Sequence, residues 1–65
     1  MQLIINGEIK QTTSQTIQKL LRELGIEDKV MAAAVNMNVV KKDIWGSFQL
    51  NENDRVEFLQ FVGGG

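Results

Sequence analysis

The sequence predicts an α+β fold: a mixed four- to five-stranded sheet with one main helix packed on one face. Three observations predict it. The chain opens on two short β-patterned segments joined by Asn6-Gly7, continues into one amphipathic helical stretch, and closes on a strand-like segment that runs into three glycines.

The elements follow in order. Residues 2–6 are rich in β-branched side chains and lead into Asn6-Gly7, a pair suited to a type I′ hairpin turn because both central positions need positive φ. Residues 8–12 alternate polar and apolar, as a half-buried strand does. The cluster Thr12, Thr13 and Ser14 can supply an N-cap oxygen for the helix that follows. In that helix Ile17, Leu20, Leu21 and Leu24 recur at i, i+3, i+4 and i+7, opposite Gln18, Lys19, Arg22 and Glu23. Gly25 stands where a left-handed C-cap belongs. Residues 30–36 read as a third strand and Val39-Val40 as a short extended piece. Residues 41–46 read as irregular or a single helical turn, and residues 47–50 as another short strand. A turn at residues 51–54 precedes the last strand, residues 55–62. The hairpin's apolar side needs a cover, so the helix lies across it and the first and last strands pair in parallel at the centre. That is the β-grasp arrangement. Residues 1–62 form the domain and residues 63–65 a flexible glycine tail.

Composition narrows the function. A chain of 65 residues is one small domain with little core from which to carve a catalytic pocket. It contains no Cys, no His and no Tyr, which removes thiolate and imidazole metal sites and the Ser-His and Cys-His nucleophile pairs. A carrier or binding role is therefore expected, not an enzyme, and no metal site. The absence of cysteine suits the cytoplasm. A net charge of −1 provides no basic face for nucleic acid. The apolar runs are too short for a membrane span, and the first residues read as a strand, not a signal peptide.

The end of the sequence carries the chemistry. Glycines lack a Cβ, so Gly63, Gly64 and Gly65 can thread a slot too narrow for any side chain. They also leave a carboxylate on Gly65 open to activation, for example as an acyl-adenylate. A frayed terminus has the same composition, so the tail alone does not decide.

The remaining residues add a resemblance. The stretches 31–36, Val39-Val40, 43–45, 53–57 and 61–65 resemble the ThiS family, ubiquitin-like sulfur carriers for the thiazole ring of thiamine. The likeness spans essentially the whole chain. It implies that an E1-like adenylating enzyme (ThiF type) uses Mg-ATP to adenylate the Gly65 carboxylate. A sulfur donor protein then leaves a thiocarboxylate there, and a thiazole synthase (ThiG type) accepts the sulfur. The chain itself binds no cofactor in this scheme. Gly64 matches the family's Gly-Gly end, and Gly63 stands where other small residues also occur. The similar alternative is the small subunit of molybdopterin synthase (MoaD type), a family usually longer and with prolines before its glycines, whereas this chain has none. A ubiquitin-like interaction module without tail chemistry and a protein-conjugating module are the further alternatives.

Strand alternation completes the reading. Val56 and Phe58 are expected to face the helix beside Leu3, Ile5, Leu20 and Leu24, and Arg55, Glu57, Leu59 and Phe61 the open side. Ala32 and Ala34 share that side and leave it flat, so Leu59, Phe61, Ala32 and Ala34 form the expected partner-docking patch. Trp45 is assigned to packing, Met31 and Met37 to gap filling or the surface, and Lys41-Lys42 to a solvated loop.

Overall fold

The computed structural model describes residues 1–60; Phe61, Val62 and the three glycines lie outside the described residues. The elements are β1 (Gln2–Ile5), β2 (Glu8–Gln11), α1 (Ile17–Leu24), β3 (Val30–Val35), β4 (Asn38–Val40), a 3-10 turn at Lys42–Ile44, and β5 (Arg55–Gln60). They form one five-stranded sheet in the order β2-β1-β5-β3-β4. β1 and β5 run parallel and the other neighbours antiparallel. This is the expected β-grasp arrangement, with α1 across one face.

Two tight turns set the hairpin registers. Asn6 and Gly7 take φ of 48° and 85° and place Ile5 opposite Glu8. Asn36 and Met37, at φ 50° and 73°, do the same between Val35 and Asn38. The first is the pair the sequence points to. In the second, methionine stands where the turn favours glycine.

The helix begins differently from expectation. Thr16, not the 12–14 cluster, is the N-cap, and its Oγ1 accepts the Lys19 amide at 3.2 Å. The hydroxyls of Thr12 and Ser14 are engaged elsewhere: both donate to Glu23 Oε1, tying the exit of β2 to the flank of α1. Lys10 Nζ lies 3.9 Å from the same carboxylate. At the other end Gly25, at φ 71°, closes a Schellman motif through Gly25 N–H to Arg22 O and Ile26 N–H to Leu21 O. Ile17, Leu20 and Leu21 are fully buried, and Leu24 packs beside them.

Two strand expectations change. In β2 the apolar residue does not face the core. Leu3 points to the helix, and its partner Lys10 shares that side, so Ile9 falls with Ile4 on the open face, 69% exposed. Residues 47–50 make no strand of the sheet. A single bridge joins Gln49 to Thr16, and Leu50 N–H donates to Gln15 O at 2.8 Å while the Leu50 side chain enters the core.

Trp45 is buried, as expected, and its Nε1 donates to Val40 O at 2.8 Å, fastening the edge strand β4 to the loop after it. Asp54, also buried, accepts from Asn36 Nδ2 at 2.9 Å and from the Asn51 amide at 2.8 Å. That carboxylate joins the β3–β4 turn to the loop that launches β5.

The Thr12 and Ser14 hydroxyls, with a smaller contribution from Lys10, hold the Glu23 carboxyl below its ordinary value of 4.5 and outweigh the opposing desolvation. A carboxyl depressed in the folded state stabilises the fold above that value. The stabilisation drains away as pH falls through the depressed folded value, because the unfolded chain binds its proton first. Glu23→Gln is therefore expected to give a shallower loss of urea midpoint with acidification below pH 4.5. Identical slopes for the two proteins would refute the assignment.

Candidate functional site

β5 builds the site because its alternation is strict. Val56 and Phe58 are buried under the helix, whereas Arg55, Glu57 and Leu59 face outward, Leu59 with 61% of its surface exposed. In the antiparallel pairing with β3, Ala32 stands opposite Leu59 and Ala34 opposite Glu57, so these side chains share the open face. Ala33, opposite Phe58, is buried. An irregularity between Val30 and Ala32 resets the phase of β3, which lets Val30, Ala33 and Val35 all reach the core. Val39, opposite Ala34 on β4, extends the open face to the edge of the sheet.

The result is not flat. Two alanines lie between Leu59 and Glu57 on one side and Val39 on the other, leaving a shallow depression of about 240 Å³. Asn6 also lines it. Of the expected docking residues, the structure brings Leu59, Ala32 and Ala34 together. Phe61 and the tail residues Gly63, Gly64 and Gly65 lie outside the described residues.

Sequence reasoning missed Val39, Ile9 and the half-buried Ile4 on this face. The signals were present. A two-residue turn at Asn6-Gly7 forces Ile4 opposite Ile9, and an inward Val40 forces Val39 outward.

The rest of the described surface adds no chemistry. Met37 is 83% exposed at its turn, and Met31 stands half exposed at the phase change in β3. The Lys42 ammonium lies 5.7 Å from the centre of the Trp45 ring. Among the described residues no group of three carboxylate, imidazole or thiol side chains could hold a metal ion, and no helix is long and apolar enough to cross a membrane. What they offer is an apolar, slightly concave face.

Comparison with known proteins adds the following. The model of the ThiS family matches residues 3–65. A thiazole synthase from Paramagnetospirillum magneticum is 36% identical over 66 residues, which take in the whole of this chain but 20% of that protein's length. The sulfur carrier protein ThiS of Escherichia coli is 27% identical over 66 residues, covering both chains in full. The crystal structure of a thiamine biosynthesis protein (ThiS) from Geobacter metallireducens superimposes with a TM-score of 0.81 at 27% identity, again over all of both chains.

The two faces of β5 predict opposite mutational costs. Phe58→Ala empties a buried aromatic site and is expected to cost about 3–5 kcal/mol in urea unfolding. Leu59→Asp changes an exposed position and is expected to stay within about 0.5 kcal/mol of the parent protein. Comparable losses in the two variants would mean that Leu59 supports the core.

Proposed function

The chain belongs to the ThiS family, and on that premise we propose that it is a sulfur carrier of thiamine biosynthesis whose working group is the Gly65 carboxylate. The observation that carries this reading is the extent of the family match, which runs through residues 3–65 and so includes the glycines at the end. The full-length similarity to the Escherichia coli sulfur carrier and to the Geobacter metallireducens ThiS structure supports it.

In this reading the chemistry is performed on the protein, not by it. An E1-like enzyme of the ThiF type uses Mg-ATP to convert the Gly65 carboxylate to an acyl-adenylate with loss of pyrophosphate. A sulfur nucleophile displaces AMP, and a thiocarboxylate remains. A thiazole synthase of the ThiG type then transfers the sulfur to its substrate, an oxygen from that substrate or from water takes its place, and the carboxylate returns. The similarity of this whole chain to one segment of a thiazole synthase supports that last partner, since one polypeptide there joins a carrier-like segment to a synthase. Because activation consumes ATP, the reading sets the chain in the cytoplasm.

The fold serves this chemistry by separating grip from reaction. The depression formed by Leu59, Ala32, Ala34 and Val39 docks the partner, and Phe61 is assigned to the same docking role. The glycines 63–65 then thread a slot that excludes ordinary side chains.

Two measurements test this. Intact mass spectrometry after incubation with a ThiF-type enzyme, Mg-ATP and a sulfide source is expected to show one oxygen replaced by sulfur, and fragmentation to place the exchange at the last residue. A persistent unmodified mass would leave an interaction module without tail chemistry. In a pyrophosphate-release assay Leu59→Asp is expected to raise KM at least about tenfold, as loss of a central interface contact does. An unchanged KM would remove the open face from the docking surface.

A further inference from the structure

The Asn6-Gly7 turn carries a side chain that the hairpin itself does not require. β1 ends at Ile5, opposite Val56, while β5 continues to Gln60. Beyond Val56, β5 therefore has no strand beside it on the β1 side. Asn6 fills that gap twice. Its backbone N–H donates to Val56 O at 2.9 Å, and its side-chain Oδ1 accepts the Phe58 N–H at 2.9 Å. The amide thus supplies the next rung of a ladder that the backbone of β1 no longer provides.

Turn geometry does not by itself select asparagine here. The position sits at φ 48°, which glycine, aspartate and asparagine all tolerate. Glycine would make an equally good two-residue turn. Only a side chain with an acceptor of the right reach makes the second bond. The bond also falls at a consequential place: Phe58 is next to Leu59 on the last strand, and both Asn6 and Phe58 line the depression.

We infer that Asn6 is a positioning residue for activation of the tail, pinning at Phe58 the side of β5 that β3 does not hold. The inference rests on the reading that Gly65 is adenylated by a docked enzyme. Docking holds the domain, but the carboxylate must still meet the α-phosphate in line. Without the Asn6 bond β5 is held beyond Val56 by β3 alone, and a stem held on one side lowers the fraction of docked molecules aligned for reaction. Loss of the bond then acts chiefly on kcat, because the apolar lining of Leu59, Ala32, Ala34 and Val39 remains in place and Asn6→Gly removes a single polar side chain from the depression.

The test compares the parent protein with Asn6→Gly and Asn6→Asp in an adenylation assay with a ThiF-type enzyme and Mg-ATP. Hydrogen exchange at the Phe58 amide is followed in parallel. Asn6→Gly, which keeps the turn, is expected to lower kcat about tenfold, with KM within about twofold, and to speed Phe58 exchange about tenfold. Asn6→Asp, which keeps an acceptor, is expected to restore both. Parent-like kcat and exchange in Asn6→Gly, a loss confined to KM, or a loss that aspartate does not restore would each overturn the inference. Failure of the parent protein to be adenylated at all would instead overturn the carrier reading, and this inference with it.

Discussion

The structure depends on the central place of β5. It is flanked by β1 and β3, parallel to one and antiparallel to the other, so its pleat is fixed from both sides. A strand held this way cannot slip by one residue without turning Val56 and Phe58 to solvent and Glu57 and Leu59 into the core. The hydrophobic demand of the helix-covered side therefore also dictates what the open side shows. Core and surface are two readings of one alternation.

The small residues of β3 exploit this arrangement. Larger side chains at positions 32 and 34 would fill the space between Leu59 and Val39, and the sheet would present a ridge. With alanine there the surface recedes, and only a convex apolar contour fits it closely. The core side of the same strand is handled separately: the irregularity near Met31 brings Val30 into phase with Ala33 and Val35. One strand thus meets two packing requirements that a regular alternation from Val30 could not satisfy together.

Much of this was legible in the residues. Asn6-Gly7, the Ile17–Leu20–Leu21–Leu24 stripe and Gly25 each act through local geometry, and local geometry is what a sequence carries most directly. The inward Val56 and Phe58 and the outward Leu59, Ala32 and Ala34 were legible for the same reason. What was not legible depended on contacts between distant segments. Thr12 and Ser14 look like capping residues until Glu23, a helical turn and more away in sequence, claims their hydroxyls. Residues 47–50 have strand character, but the neighbour they meet is the lead-in to α1, which offers one bridge and no ladder. Ile9 looks like a core residue until the pairing with β1 assigns its side. The second role of Asn6 was hidden as well, since turn rules explain the residue completely when β5 is not in view.

The outermost strands are short, four residues in β2 and three in β4. A protein that displays an apolar sheet face also runs the risk of recruiting its own kind through unpaired backbone. Brevity at both margins removes most of that template, since few main-chain donors and acceptors are left in register for a second sheet to extend. Stickiness is thereby confined to side chains, where shape can discriminate, and kept out of the backbone, where any strand would do.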